Sequence, residues 1–440
     1  MTSEDLLIIT SGMIILLSYL TTIYNFKLHL PFLYVLTIMA IFFFFSPSYG
    51  YYNEVKVSFF NYIWDYYPNV LFNYLLAILS FIIGYFIIIR KKDNVSYSTV
   101  KKISKNEFDV KYVRIGLIFV VFCFILWGLT AGRSIIDLFM LSLIGFNTDS
   151  VVNQLSKGNY YLLAMIEMSI PLLTIALFTK MSKKEFIFWN ILILIIFITQ
   201  GFRYRIILLV SSYLLVYLYT NKITLKKIIL VFTLLTIIIS SIILFTNYRN
   251  AFRDASKGVD IQKIEDYSAK RTIGATIFAS TRSYVPFASL IKYMDEKNIP
   301  YGYGETMFGH IFIRMIPSFF FKDGIKPRPP AIDISAKSYG SQDALYAGEA
   351  YAAVGGVYYE FGTLGVVVFF FLLGKLIRFI NIKLLTTNNI LILIFYITVT
   401  VTFFQLITRG YLPGFFFTFG FIILPFLYFK IFKKGLWIEK

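Results

Sequence analysis

Residues 348–374 read GEAYAAVGGVYYEFGTLGVVVFFFLLG. From Gly356 to Gly374 this run carries a single charge, Glu360, and is long enough for an α-helix to cross a hydrocarbon core of about 30 Å. The small residues before it allow close helix approach. The decision between a soluble and a membrane fold rests on such runs, and they recur along the whole chain. Taken at 17–25 apolar residues each, eleven spans are expected, at roughly 6–24, 28–46, 70–89, 113–131, 160–179, 186–201, 205–220, 228–246, 356–374, 388–407 and 412–430. The sixth and seventh meet at a very tight turn, Gly201-Phe202-Arg203-Tyr204-Arg205.

Composition agrees: of 440 residues, 58% are hydrophobic, 19% aromatic and only 15% charged, with a mean hydropathy of +0.71. Such a chain is a single all-α polytopic membrane domain over residues 1–440, with one large extracytoplasmic loop at 247–356. The net charge of +18 does not point to nucleic acid, because the basic residues lie between apolar spans rather than in one aromatic-studded patch. There they orient the spans and meet anionic membrane lipids. Cys123 is the one cysteine and sits in an apolar run, so disulfides and cysteine-based metal sites are excluded. The first run follows Glu4 and Asp5 rather than a basic stretch, and is expected to be a retained span rather than a cleaved signal.

Lysine and arginine placement sets the topology. Alternate short loops are rich in lysine and are expected inside, which puts the N-terminus outside and the C-terminal tail in the cytoplasm. The two basic residues then sort apart: ten of thirteen arginines fall outside, whereas nineteen lysines fall inside against ten outside. A rule that counts charge would not separate them. Guanidinium stays ionised and forks onto two oxygens, the usual choice for phosphate and carboxylate, so a polyanionic ligand on the outer face is implied.

Individual candidates follow. Arg203 and Arg205 sit at a membrane edge, where charge is costly and often functional, or where it merely reaches lipid phosphates. No acid stands beside them in the sequence. Arg249 and Arg253 share a helix face at i, i+4 and would present two guanidiniums to a pyrophosphate, unless Asp254 takes one in a surface pair. Arg282 and Arg314 lie in apolar surroundings and call for an anion. Arg328 belongs to the stiff turn 326–330. His310 is a structural histidine or an acid–base group. Glu360 enters the membrane and calls for an outer arginine, Arg409 foremost, or acts as a general base. Glu349 stands just before the span. Tyr301, Tyr303, Tyr339, Tyr346 and Tyr351 lie on the outer side, where interface tyrosines are ordinary. No metal-ligand spacing occurs among the outer acids. Ile261–Thr272 and Phe287–Lys297 have the mixed pattern of short interfacial helices, and 307–321 is apolar enough to pack on the membrane domain or dip into it.

The large outer loop in the second half, the turn Gly201–Arg205, Arg314-Met315-Ile316-Pro317 running into Lys326-Pro327, and Gly348-Glu349-Ala350-Tyr351 followed by Glu360-Phe361-Gly362-Thr363-Leu364-Gly365 together resemble the O-antigen polymerase (Wzy) family. The resemblance covers nearly the whole chain. It implies a GT-C-type membrane glycosyltransferase that joins undecaprenyl-pyrophosphate-linked oligosaccharide repeats on the outer side of the bacterial cytoplasmic membrane, without a cofactor, and with a chain-length-determining co-polymerase as a partner. Arg203, Arg205, Arg249, Arg253, Arg282 and Arg314 would hold phosphates or the chain, with Arg328, Arg409 and Tyr351 around them, and the outer tyrosines Tyr301, Tyr303, Tyr339, Tyr346 and Tyr351 would stack on sugars. Glu349 is the first choice of base and His310 the second. An O-antigen ligase shares the carrier and a large outer loop. A lipid-linked oligosaccharide transporter would also want outer arginines, although the paired, inverted halves common in transporters are not visible.

Overall fold

The computed structural model describes residues 2–52, 61–87, 108–130, 160–199, 203–221, 281–317, 320–322, 326–327, 329 and 350–432. All regular elements among them are helical. Among the described residues, seven helices are long and apolar enough to cross a membrane: α1 (Ser3–Ile23), α2 (Phe26–Tyr52), α3 (Trp64–Phe86), α4 (Val110–Thr130), then α10 (Ala352–Thr386), α11 (Ile390–Arg409) and α12 (Leu412–Ile431). Between α4 and α10 lie α5 (Tyr161–Ala176), α6 (Lys183–Thr199), α7 (Arg203–Thr220), α8 (Tyr284–Glu296) and the short α9 (His310–Met315). The expected spans thus meet helices wherever they fall on described residues; the eighth, 228–246, lies outside them.

The chain divides into two compact units, the first built from 1–98, 281–387 and 399–419. Its centre is the crossing of α3 with α10. Gly84 and Gly374 let the two backbones touch: a methyl on Gly84 would strike the Phe371 carbonyl, and one on Gly374 the Phe81 carbonyl. Close approach of this kind replaces the hydrophobic drive that lipid cannot supply. Around it α2 contributes a file of rings, with Phe32 stacked on Tyr85 at 4.4 Å and Phe43 on Tyr74 at 4.7 Å. Where α2 passes from helix into the π-turn Ala40–Phe45 its sequence is Ala-Ile-Phe-Phe-Phe-Phe, a crowded aromatic run. A polar knot closes one end of the unit: the Tyr85 hydroxyl lies 2.8 Å from His29 Nδ1 and accepts from Asn381 Nδ2 at 3.0 Å.

α8 corrects an expectation. It forms where an interfacial helix was anticipated, but Tyr284 through Ile291 are all buried. Phe287 lies against Tyr74 and Tyr358, and Tyr284 against Tyr67. The segment is packed into the first unit through these ring contacts.

The second unit comprises 99–280, 388–398 and 420–440. Gly116 of α4 nests against Leu172 of α5. The Tyr213 hydroxyl donates to Asn190 Oδ1 at 2.7 Å, fastening α7 to α6. Arg114 grips Glu185 with both Nε and Nη2, at 2.6 and 2.7 Å.

Candidate functional site

α10 is interrupted just where Glu360 enters it. Gly362 takes φ 63° and ψ −161° inside the helix, a left-handed excursion that glycine tolerates because it lacks a Cβ. The break leaves the Tyr359 and Glu360 carbonyls to be satisfied from elsewhere. The loop before α9 does so: Gly302 N–H donates to Tyr359 O at 3.0 Å and Tyr303 N–H to Glu360 O at 2.9 Å. Gly302 is required there, since a Cβ would sit 2.6 Å from the Tyr359 ring and 2.7 Å from Glu360 Oε2.

The Glu360 carboxylate completes this dock. It is fully buried and accepts from Gly304 N–H at 2.6 Å and Thr306 N–H at 3.0 Å. Those amides open the π-helical turn Glu305–Gly309 that leads into α9, so the carboxylate caps a helical N-terminus, where an anion is favoured. The expected ion pair with Arg409 is not made. Backbone amides supply the hydrogen bonds instead, Glu360 has no guanidinium partner among the described residues, and Arg409 is exposed at the end of α11.

Past the dock, α9 carries His310 and Arg314 one turn apart. The helix stops at Ile316, which is extended at ψ 131° because Pro317 follows it. The Arg314 guanidinium lies over the Phe417 ring, 5.5 Å from its centroid. Lys326, arriving from the Pro-rich turn, donates from Nζ to the Arg314 carbonyl at 2.8 Å, a cation on a helix C-terminus. Burial, and then the neighbouring Arg314 charge, push the Lys326 ammonium below its ordinary pKa. His310 is 5% exposed, and its burial lowers the imidazole pKa against the opposing pull of Glu305. A neutral imidazole and a guanidinium therefore share one short helix, and a second cation, Lys326, sits on its C-terminal carbonyl. Such a set can neutralise a dianion and accept a proton.

The second unit holds a different arrangement. Arg205 and Glu167 are 2% and 1% exposed, and Nε donates to Oε1 at 2.7 Å. The Tyr204 hydroxyl donates to the same oxygen at 2.7 Å. No acid stands beside this turn in the sequence; the structure supplies one from α5. Arg205 is engaged in a buried ion pair rather than presented at the turn. Glu167 was missed because it lies inside an apolar run, although a lone acid in one span and a lone base at the head of another is a signal that could have joined them.

Residues 3–438 match the family model of the O-antigen polysaccharide polymerase Wzy. The chain belongs to that family. No curated protein and no solved structure matches it. As a Wzy polymerase it is a multi-pass membrane glycosyltransferase that polymerises lipid-linked oligosaccharide repeat units.

The remaining candidates are placed unevenly. Arg282 is half-buried immediately before α8. Tyr351 is only 5% exposed; its side chain lies against Gly355 and Gly356, and it packs rather than offering a face to sugar. Tyr301 and Tyr303 keep exposed rings, at 39% and 75%. Arg203 opens α7, its side chain lying outside the described residues, as do Arg249, Arg253, Arg328, Glu349, Tyr339, Tyr346 and the helix expected at Ile261–Thr272. The structure brings Glu360, His310, Arg314 and Lys326 into one continuous segment and its dock; of these, Lys326 was legible only as part of a turn.

Proposed function

We propose that this Wzy polymerase transfers a growing glycan from its undecaprenyl pyrophosphate to a sugar hydroxyl of an incoming undecaprenyl-pyrophosphate-linked repeat, on the outer face of the bacterial cytoplasmic membrane. The bond from the anomeric carbon to the pyrophosphate oxygen breaks, a glycosidic bond forms, and the hydroxyl proton passes to a base. The observation that carries the reading is Lys326 Nζ seated 2.8 Å from the Arg314 backbone carbonyl, near enough for the ammonium to feel the Arg314 charge. The two cations take the charge that builds on the departing pyrophosphate, which makes the scheme metal-independent. Arg203, Arg249, Arg253, Arg282, Arg328 and Arg409 serve the phosphates or the chain. Glu349 is the first candidate base and His310 the second. Eleven spans in a GT-C-type architecture, with the N-terminus outside and the C-terminus inside, put these groups on the outer side, and a separate co-polymerase sets chain length.

Deleting the gene in its host and resolving the surface polysaccharide on a gel tests the reading. A single-repeat band in place of the ladder is expected, because export and attachment of one unit still operate. Lipid-linked polymer accumulating outside would instead indicate a ligase, and repeats trapped inside a transporter.

A further inference from the structure

The segment docked by Glu360 has two unlike faces. Thr306, Met307 and His310 are buried, whereas Phe308, Phe312 and Ile316 are 56%, 70% and 41% exposed. Spaced at i, i+4 and i+8, these three lie along one side of the π-turn and α9. Bare aromatic side chains in such a row would be unfavourable against water.

Their neighbour shows what covers them. On α10, Phe361, Leu364, Val368 and Leu372 are 38%, 74%, 49% and 55% exposed, a helically spaced stripe on a 35-residue helix of membrane-crossing length. A stripe of that kind on a multi-pass protein faces acyl chains. The Phe308 ring lies 6.5 Å from the Phe361 ring at its outer end. Gly304, at φ +94°, has space for no side chain between Phe308 and Phe361. The lipid-facing stripe of α10 thus continues, through the contact of Phe361 with Phe308, onto the exposed side of α9.

We infer that the segment Glu305–Ile316 is seated in the bilayer interface, with Phe308, Phe312 and Ile316 among phospholipid acyl chains, so that Arg314 stands at head-group depth and is reached from within the membrane, with His310 on the protein-facing side of the same helix. Along α10, Phe361 lies about 26 Å from Arg378 at 1.5 Å per residue, close to the thickness of the hydrocarbon core. Phe308 is therefore level with the opposite head-group boundary from the basic end of the helix. A ligand with an apolar tail and an anionic head would meet the two faces of this segment in the right order.

The inference stands apart from the polymerase reading, because its test measures depth and not turnover. Cys123, the lone cysteine, is replaced by alanine, and Phe312→Cys is spin-labelled in nanodiscs of phosphatidylethanolamine and phosphatidylglycerol. Leu364→Cys serves as the acyl-chain reference and Lys297→Cys, exposed at the end of α8, as the aqueous one. The label at 312 is expected to match 364, with strong relaxation by oxygen and loss of relaxation by a water-soluble nickel chelate. Phe308→Cys gives a second reading should the first variant fail to assemble. Nickel-chelate relaxation equal to that at 297 would overturn the inference, and so would protection from both reagents, which would mean that protein covers this face.

Discussion

Glu360 is a buried carboxylate that, among the described residues, accepts hydrogen bonds from backbone amides. Its two oxygens take the Gly304 and Thr306 amides, and each hydrogen bond from a buried amide to a charged acceptor is worth roughly 1.5–3 kcal/mol. Glu360→Ala is therefore expected to lower the thermal midpoint in detergent and to expose the loop before α9 to protease. A Glu360→Gln protein with unchanged melting and no turnover would instead mark Glu360 as the base. His310 makes a separate prediction. Burial holds its pKa below the usual imidazole value of about 6.5, so the ring is neutral at pH 7 and able to accept a proton. If it is the base, elongation falls as pH drops through a point below 6.5, and His310→Gln removes that acid limb together with most activity. The unfolded chain takes up this proton more readily than the folded one, so acidification through the same window also lowers stability.

Among the elements, the α3–α10 crossing and the α5–α7 ion pair make the firmest demands. Gly374→Leu drives a side chain into the Phe81 carbonyl; a lost or melted membrane-inserted fraction is expected, at a cost of at least the ~1–3 kcal/mol typical of overpacking. Glu167→Ala leaves the Arg205 guanidinium buried without its carboxylate and should cost about 3–5 kcal/mol. The double variant Glu167→Leu, Arg205→Met is expected to recover the melting midpoint and to keep elongating. Recovered melting without elongation would show that Arg205 touches substrate. The helices themselves were legible because apolar runs of membrane length have few alternatives. Their interruptions were not: Gly362 looks like any small residue in a span, and the amides that satisfy Glu360 carry no residue-type signature. α10 was read as 356–374 yet runs Ala352–Thr386. The reading stopped at Lys375, but its ammonium folds back over Phe371 at 4.6 Å and Lys383 over Phe379 at 5.8 Å, the way long cationic stems extend an apolar helix.

For the whole molecule, the expected sorting of arginine to the outside and lysine to the inside is the functional signal carried by the sequence, and residues 3–438 belong to the Wzy family. Which arginine would meet an anion was less legible, because it depends on partners distant in the chain. Arg205 faces Glu167, whereas the backbone carbonyl of Arg314 accepts from Lys326 and its guanidinium lies over Phe417. The central claim is that Arg314 and Lys326 together hold the pyrophosphate of the lipid-linked donor. The most direct test is elongation by purified protein in nanodiscs supplied with a lipid-linked repeat, read as a ladder on a gel. Wild type should give a ladder. Arg314→Ala, with an unchanged melting midpoint, should slow elongation on the order of 10²–10³-fold, the scale seen when one charge-stabilising donor is removed, and Lys326→Ala should do the same to a lesser degree. A full ladder at the wild-type rate from folded Arg314→Ala would contradict the account.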